Sequence, residues 1–243
     1  MDSTQLVIVV IIGSLVSALT GLGGGSFILA SLLFFFPPSY ALPLHSLTQL
    51  IINLMRTGIF INKVHWKIVM FFSFLMLPAS WLAARIFDQV NPGVLKVLVG
   101  SLILLSFAPF SFFSDLIPGK KTFLLMGGLS GFVSIFIGAT GPMVMPFFSR
   151  LQLSRDEMLS TKSAGQACLQ FSKIIAFWGA TRINFESIIL AFPLIFVGVL
   201  IGVMLSIPLG KRIPDPKFNI IMNSMLIIIA LKTLLEGMRE ILV

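Results

Sequence analysis

His45-Ser46-Leu47-Thr48-Gln49-Leu50-Ile51-Ile52-Asn53-Leu54-Met55-Arg56 and Lys162-Ser163-Ala164-Gly165-Gln166-Ala167-Cys168-Leu169-Gln170-Phe171-Ser172-Lys173 decide how this chain is read. Their polar residues share one spacing, HSxxQxxxNxxR against KSxxQxxxQxxK. The offset from 45 to 162 is 117, and it also carries Ser17 onto Ser134, Gly21 onto Gly138 and Gly24 onto Gly141. After a two-residue insertion, Asn62-Lys63-Val64-His65-Trp66 aligns with Thr181-Arg182-Ile183-Asn184-Phe185. Asn91-Pro92 then resembles Asp215-Pro216, each opening an apolar segment. Apolar matches between two apolar sequences arise easily by chance; polar matches at fixed spacing do not. Two copies of one unit are expected, 1–118 and 119–243, forming one membrane domain.

At about 100° per residue, His45, Ser46, Gln49, Asn53 and Arg56 share one face of a helix, and their mates do the same. The remaining faces are mostly apolar. A helix of this kind buries amides and cations while turning leucine and isoleucine to its surroundings. Asn53 falls roughly 13 Å below the helix start, which is mid-depth in a bilayer. Polar and charged groups at that depth are costly and commonly mark a substrate path.

Composition agrees. Of the 243 residues, 57% are hydrophobic and 11% charged, and the mean hydropathy is +1.04. That is too little polar surface for a soluble enzyme or a disordered chain. The net charge of +8 would suggest nucleic acid in a soluble protein, but here the cations lie between long apolar runs, as in cytoplasmic loops of a membrane protein. No nucleic-acid partner is therefore expected. A single cysteine, Cys168, excludes an internal disulfide, and two histidines make a His-rich metal site improbable. No cofactor is expected. Met1-Asp2 lacks a basic leader, and the apolar run 6–16 belongs to the repeat, so it is read as retained and not as a signal peptide.

Three apolar runs in each half suit a crossing: 44–62, 67–84 and 96–113, then 159–179, 187–209 and 218–236. Each half also begins with a longer run, 5–36 or 122–149, interrupted by small residues. If these runs cross once, the repeats are parallel; if they are re-entrant hairpins, the repeats are inverted. The inverted arrangement gathers Lys63, Lys67, Lys120, Lys121, Arg150, Arg155, Lys162, Lys211, Arg212 and Lys217 on one side. It leaves Arg85, Lys96, Arg182 and Arg239 on the other. The parallel arrangement has almost no bias. The expectation is an all-α polytopic membrane protein of two inverted repeats, each a broken, re-entrant helical hairpin plus three transmembrane helices. Both termini then lie outside the cytoplasm.

Gly23, Gly24, Gly25 and Ser26 in the first break, and Thr140 and Gly141 in the second, are candidate anion-binding residues. A helix that restarts after a break presents free N–H groups and its positive dipole end. Small-residue helix packing is the competing use of such glycines. Gln49, Asn53, Arg56, Gln166, Gln170 and Lys173 are candidate substrate ligands from the two helix faces. The amides could equally be interhelical hydrogen-bond glue, and Arg56 and Lys173 lie within snorkelling reach of the basic loops. His45, Ser46, Lys162 and Ser163 lie near the helix entrances and read as gating or entry residues. None of the nine acids sits convincingly within the membrane, which argues against a cation substrate. Basic groups, amides and hydroxyls together suit a small oxyanion.

Gly21-Leu22-Gly23-Gly24-Gly25-Ser26-Phe27-Ile28-Leu29-Ala30, the second-half segment ending Gly141-Pro142-Met143-Val144-Met145-Pro146, and the duplication resemble the TauE/SafE family of sulfite exporters. The resemblance covers essentially the whole chain. Ala139 and Thr140 depart from it, standing where glycines are more usual. It implies a multispanning transporter in a bacterial inner membrane for sulfite, thiosulfate or an organosulfonate such as sulfoacetate or isethionate. Alternating access at a midplane site is the expected mechanism, with coupled protons among the admissible partners. An anion channel is the close alternative. An intramembrane enzyme is disfavoured because no nucleophile–base pair is evident.

Overall fold

A computed structural model describes the chain except residues 1–2, 21–23, 106–118, 139, 210–214 and 243. Among the described residues the fold is helical, with no strand. The first half contains α1 (Ser3–Thr20), α2 (Gly24–Phe35), α3 (Pro38–Ile59), α4 (Trp66–Ser73), α5 (Met76–Phe87) and α6 (Pro92–Leu105). The second contains α7 (Lys120–Ile137), α8 (Gly141–Phe148), α9 (Arg155–Ala180), α10 (Phe185–Ile189), α11 (Phe192–Leu209) and α12 (Asp215–Leu242). Helix starts at 3 and 120, 24 and 141, and 38 and 155 repeat the sequence offset, and 66 and 185 follow the two-residue insertion.

The two interrupted runs form helical hairpins. A Cβ on Gly13 of α1 would meet the Ile28 side chain of α2, and Phe123 of α7 stacks edge-on against Phe147 of α8 at 5.0 Å. The 18-residue arms reach about 27 Å, whereas α2 and α8 have 12 and 8 residues. Each short arm is an apolar wedge. Ile28, Leu29, Ala30 and Leu32 are fully buried in the larger core, and Phe147 and Phe148 in a second cluster with Phe72 and Met76.

Mate helices meet in opposite directions. The end of α3 lies at the start of α9, where Lys63 pairs with Asp156, His65 Nε2 with Glu157 at 3.3 Å, and the His65 amide donates to Thr161 Oγ1. The start of α6 lies at the end of α12, where Lys96 pairs with Glu240 and Glu236. The other pairings exchange halves: α1 packs on α11, and α7 packs on α5. At the N-terminus of α9, Ser154 and Glu157 form a reciprocal capping box. The hydrogen bonds from Ser154, with the contact to His65, hold the Glu157 carboxyl down at about 2.

Two features differ from the sequence expectation. The runs expected at 67–84 and 187–209 are each split, α4 from α5 at 74–75 and α10 from α11 at 190–191. Only Trp66–Phe87 and Lys120–Ile137 meet both the length and the apolarity of a full bilayer span among the described residues. Thr4–Ala18, Gly25–Phe35, Pro92–Leu105 and Phe192–Ser206 are apolar but shorter. α3 and α9 are long enough, yet their buried amides and cations dilute their apolarity. The surface is otherwise inside-out for water: Leu190, Phe74 and Met204 are 78%, 72% and 67% exposed, while Lys173 and His45 are 0% exposed.

Glycine sets the closest approach. A Cβ on Gly127 of α7 would lie 1.7 Å from the Phe72 carbonyl oxygen, and one on Gly202 of α11 would lie 2.4 Å from the Ile11 carbonyl oxygen. Backbone occupies both spaces, so neither seam can yield cheaply. Gly127→Ala should therefore destabilise the protein by about 1–3 kcal/mol or more through overpacking. Gly58→Ala has open space at its Cβ and should be neutral or slightly stabilising. Thermal unfolding of both variants in detergent checks the contrast.

Candidate functional site

The long helices α3 and α9 carry the polar faces, and their antiparallel crossing turns those faces toward each other. The first residues of α2 and α8 reach the same place from the two hairpins. Between them lies a cavity of about 200 Å³. Its wall includes Gly25, Ser26, His45, Gln49, Asn53 and Arg56 from the first half. From the second come Thr140, Gly141, Lys162, Ser163, Gln166 and Gln170. No aspartate or glutamate is among the described lining residues.

Several wall groups have no internal partner. Gln49 Nε2, Gln166 Nε2, Thr140 Oγ1, Gln170 Oε1 and His45 Nδ1 are buried and unpaired. Buried polar groups are ordinarily satisfied, and each one left unpaired costs about 1–3 kcal/mol. Two of these are amide donors at mate positions. The remaining polarity of the face is absorbed locally: Asn53 Nδ2 donates to the Gln49 carbonyl at 2.8 Å, and Ser46 Oγ donates to the Leu42 carbonyl at 2.9 Å. Gly25 leaves room beside an amide, since a Cβ there would lie 3.5 Å from Gln49 Nε2.

The two deep cations play matched parts. Arg56 donates to the Ser17 carbonyl at 2.7 Å, and Lys173 Nζ donates to the Gly138 carbonyl at 3.1 Å. Each therefore engages the C-terminal carbonyls of the long hairpin arm in its own half, where a helix dipole is negative. Arg56 also lines the cavity. Lys173 differs from its expected role as a wall ligand: it is 0% exposed and turned to Gly138. Gly138 has φ +76°, a conformation that disfavours a side chain, and a Cβ there would also strike Leu29 at 2.6 Å.

Of the expected gating residues, His45, Lys162 and Ser163 are on the cavity wall, and Ser46 is bound to its own helix. Their position is deeper than expected because α3 and α9 begin at Pro38 and Arg155, before the apolar runs at 44 and 159. Gly24 opens α2, and Gly23 lies outside the described residues. Ala18, Ile59, Phe60, Leu159 and Ser160 also line the cavity and were not anticipated. Ile59, Phe60, Leu159 and Ser160 come together only because α3 ends where α9 begins, a pairing that no local pattern announces.

Ile59 and Phe60, at the α3–α9 junction, are 70% and 37% exposed. Their mates Ala176 and Phe177 are 0% exposed, as is Leu42, the mate of Leu159. The exposed part of the wall therefore lies at the α3–α9 junction, while the mates of these residues are packed in the apolar core.

A family model described as "Sulfite exporter TauE/SafE" matches residues 6–233. The chain belongs to the TauE/SafE family. Membership makes it a membrane protein of a transporter family. No curated protein and no solved structure matches it.

Two glycines separate fold from site. Gly138→Ala, strained and crowded, should lower stability by about 1–3 kcal/mol. Gly25→Ala meets only ordinary contacts, so its unfolding temperature should stay within a few degrees of wild type. Calorimetric melting of the two variants checks the contrast.

Proposed function

We propose that this chain carries a small sulfur-containing anion (sulfite, thiosulfate or a C2 organosulfonate such as sulfoacetate or isethionate) across a bacterial cytoplasmic membrane. The carrying observation is the pair of unpartnered mate amides, Gln49 and Gln166, in a cavity that contains Lys162 and Arg56 and no described carboxylate. Oxyanions accept hydrogen bonds, so a wall of amide donors, hydroxyls, basic side chains and helix N-termini complements them. Ser26, Thr140, Gly141, Asn53, Gln170 and Ser163 complete the wall, and Gly24 opens α2 beside it. Binding sulfite here leaves the α2 and α8 N-termini aimed at its oxygens. Gln49→Ala combined with Gln166→Ala should abolish titratable binding of sulfite, thiosulfate and isethionate while the melting temperature stays near wild type. Undiminished affinity in that double variant overturns the assignment.

The two halves are inverted repeats around this site, and transport proceeds by alternating access. Antiparallel mate helices support the inversion, because equivalent segments crossing in opposite directions place the halves oppositely in the bilayer. The open end, beside Lys63, Lys67 and Arg155, is then cytoplasmic, and both termini are outside. The sealed end at Leu42, Ala176 and Phe177 opens when the end at Leu159, Ile59 and Phe60 closes. In a Cys168→Ser background, Ile59→Cys should react with an impermeant thiol reagent from the cytoplasmic side at rest. Ala176→Cys should react only from the opposite side, and only during turnover. Simultaneous labelling of both positions would instead identify an anion channel.

A further inference from the structure

We infer that His45 binds one proton together with each anion and so couples transport to the proton gradient. This rests on the cavity being an anion site. His45 is fully buried on α3 and lines the cavity. Its Nε2 lies 3.0 Å from the Gly25 carbonyl oxygen. A carbonyl only accepts, so Nε2 carries the hydrogen, and in the neutral ring Nδ1 is a bare lone pair. That nitrogen has no partner. The cations and amide donors of the wall favour an anion, and a lone pair turned toward an oxyanion would set acceptor against acceptor. A proton on Nδ1 removes the conflict and turns the ring into a two-ended donor, one end to Gly25 and the other to the anion.

The surroundings explain why the proton and the anion travel together. Around the ring, the titratable or charged groups are Lys162 and Lys173 on α9 and Arg56 on α3 itself. α2 and α11 carry none. Lys96 on α6 is engaged by Glu236 and Glu240, and Glu186 on α10 is exposed. An imidazolium in the empty site has only cations for company. The anion is its counter-ion, and release of one favours release of the other. The mate position holds Lys162, so each half supplies one basic group to the wall. The proton enters from water at the open mouth, rides on Nδ1, and leaves to water when the anion does.

The test is isothermal titration of the purified full chain with thiosulfate and with isethionate, whose own charges stay constant near neutral pH. Buffers of different ionisation enthalpy report the protons taken up. Wild-type protein should take up about one proton per anion at the alkaline end, where Kd should rise about tenfold per pH unit. His45→Gln keeps a donor for Gly25 but cannot titrate, and should lose the uptake and the slope whatever its affinity. Binding of either probe to wild type with no buffer dependence overturns the coupling and leaves the anion site standing. Retention of the slope in His45→Gln also overturns it. Failure of both probes to bind at any pH overturns the anion site itself, and the coupling with it.

Discussion

Inside a bilayer no water completes a broken helix, and that constraint organises this molecule. Each hairpin ends its long arm within the protein, leaving carbonyl oxygens that must find donors. Arg56 reaches the Ser17 carbonyl and Lys173 the Gly138 carbonyl. The same step of the repeat supplies both cations, from the long helix that follows each hairpin. The two breaks, the two deep cations and the cavity between them are therefore one arrangement. Removing a cation would expose a helix end as well as a charge, so a simple ligand picture undersells Arg56.

Much of this was legible because the polar residues are few and their spacing is strict. The two interrupted runs and the polar faces that supply most of the cavity wall follow from one offset and from the 3.6-residue period. The partner of Lys173 was not legible. Its distance from Gly138 depends on how α9 crosses the end of α7, and neither sequence segment encodes that crossing by itself. The splits at 74–75 and 190–191 were also hidden, since the apolar runs continue through them unbroken. Which of the mate pairs is exposed could not be read either, since Ile59 and Phe60 and their mates Ala176 and Phe177 are all apolar.

The halves are not identical, and their differences fall where chemistry would separate them. Histidine stands opposite lysine at 45 and 162, asparagine opposite glutamine at 53 and 170, and arginine opposite lysine at 56 and 173. A polar, hydrogen-bonding side chain is kept at each step, while its reach and its set of donors and acceptors change. The first three helix starts of each half keep the common offset, because a shift of one residue there would rotate an entire polar face away from its partner.

The glycine seams have a mechanical consequence. Gly127 locks α7 onto the first half, and Gly202 locks α11 onto α1, each with main chain pressed against main chain. Neither seam has slack. Any rearrangement that leaves both seams intact keeps α7 with α4 and α11 with α1, so helices from the two copies stay joined. The duplicated unit is thus not a separable half of the fold.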